Sequence, residues 1–194
     1  MPTSRLTLFW IMLCLLLGVN LWQASVTELI YDEAYYWYFS QQLAWGYFDH
    51  PPMMAWMIAL GRLLFSGTLG VRIVGVLFSA ATYLLVWDMI SGVKKNHYVP
   101  EFFLWVFSMT LLNAYGFLIL PDTPLLFFTA LFLWGVQRLL KKNSWSYAFW
   151  VGTAMAAMMY SKYHALVVIL GVVIGYWPLV RMTKAWVAVL WALL

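Results

Sequence analysis

No charged side chain interrupts the sequence from Leu6 to Trp22, and the same holds from Phe102 to Leu120, Trp145 to Tyr160 and Ala165 to Pro178. Two further stretches, Leu69 to Ile90 and Leu125 to Leu140, are nearly as apolar. A hydrocarbon core of about 30 Å takes roughly 20 apolar residues per helix, so runs of this kind commit most of the chain to a bilayer. The rest of the sequence agrees, being 65% hydrophobic and only 9% charged, with a mean hydropathy of +0.83. We therefore expect an all-α, multi-pass membrane protein with six membrane helices and the start of a seventh near Ala185. It forms a single module over residues 1–194, and we expect the apolar run that begins near Ala185 to continue past Leu194.

The charges that remain are placed by topology. Arg5, Lys94, Lys95, Arg138, Lys141, Lys142, Arg181 and Lys184 fall at alternate helix ends, the pattern that the positive-inside rule assigns to the cytoplasm. This predicts a cytoplasmic N-terminus. Arg62, Arg72 and Lys162 fall elsewhere. The net charge of +4 is strung between apolar runs and builds no basic face for nucleic acid. Trp22 and Gln23 crowd the small-residue site near Ala24 and Ser25, so the first run is read as an uncleaved helix. Cys14 is the only cysteine, which rules out an internal disulfide. Gly171 and Gly175 form a GxxxG pattern that predicts helix packing.

The first extracytoplasmic loop is different in kind. From Gln23 to Pro52 it holds Glu28, Asp32, Glu33 and Asp49 without a lysine or arginine. Its segment Asp32 to Trp45 is rich in aromatics and predicts a helix lying at the headgroup level. The run Met53 to Phe65 is too short to span, so it predicts a second interfacial or re-entrant helix.

Asp32 and Glu33 are adjacent, so on a helix they point about 100° apart and one can serve as a base while the other orients it. The bare residues leave open a second reading, in which both are surface acids exposed to headgroups. Asp49 and His50 precede Pro51 and Pro52, which stiffen the corner from which their side chains project. They fit either phosphate binding or a plain helix start. Asp122 lies in the tight turn Pro121-Asp122-Thr123-Pro124, where Thr123 and Pro124 make a plausible cap and first residue of the next helix. Lys162 joins two short helices and fits a phosphate ligand or a snorkelling lysine. Nothing in the sequence calls for a metal or cofactor, and His50, His97 and His164 are too scattered to propose a metal site. A transporter or lipid-handling protein would want ionisable groups near helix midpoints, whereas Asp32, Asp49 and Asp122 lie in loops.

The strings YDEAYYWYFSQQLAWGYFDHPPMMAW, LPDTPLLFF and SKYHA together resemble the N-terminal half of the polyprenyl-phosphate-sugar-dependent GT-C glycosyltransferases. The resemblance is to the protein O-mannosyltransferases and the lipid A aminoarabinose transferases, and it covers most of residues 1 to 180. It implies a GT-C-like transmembrane bundle whose first-loop acid pair falls on Asp32 and Glu33, with Asp32 as the catalytic carboxylate. Asp49, His50, Asp122 and Lys162 are then substrate-binding residues, with His50 and Lys162 facing the lipid phosphate. The implied partners are a polyprenyl-phosphate-linked sugar donor, the lipid bilayer and a lipid, glycan or protein acceptor. An inactive fragment of such a transferase is the alternative within the same family.

Overall fold

A computed structural model of the chain describes residues 2–90 and 95–193. Ten α-helices are described: α1 (Pro2–Val26), α2 (Tyr31–Phe39), α3 (Met53–Leu64), α4 (Gly67–Met89), α5 (Val99–Ser108), α6 (Thr110–Ala114), α7 (Asp122–Lys142), α8 (Trp145–Ser161), α9 (Ala165–Gly175) and α10 (Thr183–Leu193). Short 3-10 turns precede α5 and α10. Among the described residues there is no strand, in keeping with the expected all-α class.

Three helices, α1 from Ser4, α4 and α7, are long and apolar enough to cross a membrane. That is fewer than the six expected: α8 follows its expected run but has only 17 residues, and the other two differences have local causes. The run Phe102 to Leu120 was predicted as one span but breaks at Met109, between α5 and α6. The Asn113 amide donates to the carbonyl oxygens of Val106, Phe107 and Met109 at 2.9, 3.3 and 3.0 Å. At Val106 and Phe107 the side-chain amide thus stands in for backbone N–H groups of the next turn, while the Met109 carbonyl also accepts the Asn113 backbone N–H as inside a helix. Helix α9 ends at Gly175, short of the expected Pro178, and at about 1.5 Å per residue it is too short to cross.

Two more expectations are corrected. The interfacial helix stops at Phe39, where Ser40 caps it and bonds back to Trp37 through its hydroxyl, so residues 40–52 are a loop up to the corner at Pro52. Helix α7 begins at Asp122, after Pro121 at the cap position. Thr123 is inside it, its hydroxyl donating to the Leu118 carbonyl and accepting the Leu120 N–H.

The helices pack in both senses: α1 is antiparallel to α4, with Phe9 against Trp87, whereas α4 and α7 run parallel, with Gly75 beside Thr123 and Asp88 beside Arg138. Helix α4 lies between α1, α3 and α7, and α8 lies between α7 and α10. Close approach is set by glycines, but not by the predicted pair: Gly171 and Gly175 have nothing within 4 Å of an added Cβ, whereas one on Gly61 would overlap the Gly70 carbonyl and one on Gly152 would meet the Ala188 carbonyl. One core gathers α7 to α10 around Phe132, Leu139 and Met158. A second is aromatic, with Phe9 stacked on Trp87 at 4.7 Å and flanked by Phe102 and Phe103. A third joins α2, α3 and α4 through Tyr36, Met54, Ile58 and Val71.

This arrangement separates the charges into two ends. At one end Arg5 contacts His97, Arg138 pairs with Asp88 at 2.5 Å, and Lys184 donates to the Asn143 carbonyl. Lys94, expected at this end, lies outside the described residues. At the other end the α1–α2 connection meets the starts of α4 and α7 and the end of α8, and the loop acids gather there.

Candidate active site

Arg72, the sixth residue of α4, is fully buried. A buried guanidinium is tolerable only when its donors are used and its charge is paired. Its Nε donates to Glu33 Oε1 at 2.7 Å and its Nη2 to Glu33 Oε2 at 2.6 Å, a two-pronged pair with Glu33 also fully buried. The remaining donors reach the carbonyls of Ala24, Thr27 and Glu28 at 3.3, 2.7 and 2.9 Å. Glu33 in turn accepts the backbone N–H of Ile119 at 3.0 Å and of Ile30 at 3.1 Å. A single ion pair therefore ties together the end of α1, the start of α2, α4 and the segment before α7.

Glu33, expected as half of a catalytic pair, spends both carboxylate oxygens on four N–H groups. It is placed to fix α2, and nothing leaves it free to take a proton from a substrate. Asp32 is the opposite case. The helical turn of about 100° per residue carries it out of the core, where it is exposed and makes no hydrogen bond or ion pair among the described residues.

One turn on, Tyr36 points back into the core. It is 5% exposed, and its hydroxyl lies 3.0 Å from His50 Nε2. Burial holds its phenol well above the ordinary value, and the charges of Asp32, Asp49 and Asp122 add to the effect. That all three acids act on one phenol puts them in the same neighbourhood. Beside it the Tyr35 hydroxyl donates to Asp49 Oδ1 at 2.9 Å, and this hydrogen bond is the main reason its own phenol is raised. Asp49 Oδ2 lies 3.5 Å from His50 Nε2. Pro51 and Pro52 are buried below, so the corner that projects Asp49 and His50 is anchored in the core.

Asp122, at the start of α7, and Lys162, at the end of α8, are brought together by the packing of these two neighbouring helices. Lys162 Nζ donates to the two carboxylate oxygens at 2.9 and 3.1 Å, with both side chains about one-third exposed. Asp122 stands in the first turn of α7, where the helix dipole favours a carboxylate, and Lys162 caps α8 in extended conformation. The Tyr115 phenol beside them is raised by burial first and by Asp122 next.

Four contributors were not singled out as site residues from the sequence: Arg72, Tyr35, Tyr36 and Tyr115. Arg72 carried a usable signal, since an arginine near the start of a long apolar helix requires a partner. The tyrosines were indistinguishable from membrane-anchoring aromatics. Arg62 lies over the Trp37 ring at 5.5 Å. Among the described residues, no three His, Cys, Asp or Glu side chains converge as metal ligands would.

Residues 49–194 match the family profile described as dolichyl-phosphate-mannose-protein mannosyltransferase. The chain belongs to this family. The matched range contains His50, Asp122 and Lys162 and starts after Asp32 and Glu33. That family is one of GT-C glycosyltransferases, and the apolar helices of this chain agree with a membrane protein. It is also similar to the lipid A galacturonosyltransferase RgtD of Rhizobium johnstonii, at 30% identity over 171 residues that cover 82% of this chain and 35% of that protein. The chain thus spans about a third of that relative's length. No solved structure matches it.

Proposed function

We propose that the chain carries the acidic first loop and part of the donor site of an inverting glycosyltransferase. The enzyme moves a sugar from a polyprenyl-phosphate carrier to an acceptor hydroxyl or phosphate on the extracytoplasmic side. The observation that carries this reading is Asp32: an exposed, unpaired carboxylate on a helix that its neighbour Glu33 locks to four parts of the fold. A general base needs access to a proton and a fixed position, and these two adjacent residues divide those requirements.

Asp32 takes the proton of the acceptor hydroxyl as its oxygen bonds to the anomeric carbon. The bond from that carbon to the carrier phosphate breaks on the opposite face, the electron pair leaves with the phosphate, and configuration inverts. Charge then gathers on the leaving phosphate, where fixed cations stabilise it. An ammonium carries three donors, and Lys162 uses two of its contacts on Asp122. The third is free for a phosphate oxygen. His50, held by Tyr36 and close to Asp49, provides a second cation when protonated. A transporter is less well supported, because the ionisable residues of α1, α4 and α7 lie near the helix ends.

The test is sugar transfer in membranes containing the full-length parent, wild type against Asp32→Asn at matched expression. Loss of a general base typically costs about 10²–10⁴-fold in rate, and a fall of that size with insertion unchanged is expected. Transfer at the wild-type rate would remove Asp32 from the mechanism.

A further inference from the structure

Beyond the end of α2 the chain curls around one phenol. The Tyr47 hydroxyl lies 3.1 Å from the Phe39 carbonyl and 3.0 Å from the Gln42 carbonyl, and it accepts the Ala44 N–H at 3.2 Å. Its ring is stacked on Phe39, with centroids 4.3 Å apart and planes 11° from parallel. Trp56 Nε1 donates to the Ala44 carbonyl from α3 and fastens the same loop to the bundle. The loop is thereby built around a pocket of about 430 Å³, lined by Tyr38, Phe39, Gln41 to Ala44 and Tyr47. That volume lies within the range of small-molecule sites, roughly 300–1,000 Å³.

The lining is chemically selective. It offers aromatic rings from Tyr38, Phe39 and Tyr47, the Gln42 amide, which donates and accepts in the same group, and the Gln41 amide oxygen, the Gln41 Nε2 being spent on the Trp37 carbonyl and the Ser40 hydroxyl. The Gln42 amide and the Tyr38 hydroxyl have no hydrogen bond among the described residues, and both side chains are exposed. No lysine or arginine is among the lining residues, so the walls of the pocket carry no cation for a phosphate or carboxylate. Apolar faces beside neutral, two-way hydrogen-bonding groups match a ring that has C–H faces and hydroxyl edges.

The pocket is also in register with the proposed base. Asp32, Tyr35 and Phe39 are spaced i, i+3, i+7, one face of a helix, and at 1.5 Å per residue Phe39 stands about 10 Å along α2 from Asp32. We propose that this pocket binds a neutral pyranose ring of a substrate whose reacting end lies at Asp32, an inference that rests on the glycosyltransferase reading above.

Saturation-transfer NMR on the detergent-solubilised full-length parent tests it, with the methyl pyranosides of mannose, galactose and glucose as probes. Signal transfer to ring protons is expected in wild type and equally in Asp32→Asn. In the double variant Tyr38→Ala/Gln42→Ala binding weakens about tenfold, as for the loss of roughly one hydrogen bond and one ring contact. Since neither side chain supports the fold through a hydrogen bond, an unchanged melting temperature accompanies that loss. No transfer to any of the three pyranosides, or equal transfer in the double variant, overturns the proposal. In the transfer assay the double variant raises the acceptor's KM when the ring belongs to the acceptor and the donor's KM when it belongs to the donor. Unchanged values for both overturn the pocket. Pyranoside binding that persists while Asp32→Asn turns over normally would sink the base and leave the pocket standing, and the converse separates the two claims in the other direction.

Discussion

Adjacent carboxylates in this chain have been given opposite fates by the direction in which a helix carries them. Glu33 is buried against Arg72 and Asp32 is left open to solvent. The sequence could say that the two point about 100° apart and that one orients while the other reacts, but it could not say which, because that depends on where Arg72 sits across the fold. Removing one partner of a buried ion pair costs about 3–5 kcal/mol. Glu33→Gln and Arg72→Met are each expected to destabilise the full-length parent by that order, measured as a lower midpoint of thermal unfolding in detergent. The double variant Glu33→Leu/Arg72→Met recovers only part of the loss, since the Ala24, Thr27 and Glu28 carbonyls still lack their donor. Full recovery would mean that those backbone bonds contribute nothing.

Among elements, the corner between α3 and α4 depends on small residues. A Cβ at Gly61 would overlap the backbone carbonyl of Gly70, and one at Gly70 would overlap that of Phe65. Backbone cannot step aside as a flexible side chain can. Gly61→Ala is expected to cost about 1–3 kcal/mol by overpacking and to slow sugar transfer, because α3 begins immediately after the His50–Pro51–Pro52 corner. Gly171→Ala, in the middle of α9 and meeting nothing among the described residues, is expected to raise stability by about 0.5–1 kcal/mol through helix propensity. Paired melting curves check both, and a neutral Gly61→Ala would show that the corner has slack. The GxxxG pattern at Gly171 and Gly175 was visible in the sequence, while the glycines that do pack, Gly61, Gly70 and Gly152, had no motif to announce them. The break at Met109 was hidden for a similar reason. Asn113 is one polar residue in an apolar run, and only its bonds to the Val106 and Phe107 carbonyls show that it ends a helix.

At the scale of the whole molecule, the two charged ends predict an orientation. In a parent whose cysteines, Cys14 included, are replaced by serine, a cysteine at Gly46 is expected to react with a membrane-impermeant maleimide added to intact cells. One at Lys141 is expected to react only after permeabilisation, and the reverse pattern would invert the proposed topology. Apolar runs, basic helix ends and the acid-rich first loop were legible in the residues alone, because bilayer thickness and the cost of burying charge act on local composition. They determined the helical membrane class and put forward Asp32, Asp49, His50, Asp122 and Lys162 as candidates, which the fold gathers at one end of the bundle. Only the tertiary structure decided that Glu33 and Arg72 are a buried strut, that Lys162 is held by Asp122 across forty residues, that Tyr36 rests on His50, and that Asp32 alone of the first pair stays free. Those outcomes turn on distances between segments remote in sequence, and a buried charge is settled by whichever partner the packing brings within hydrogen-bond reach.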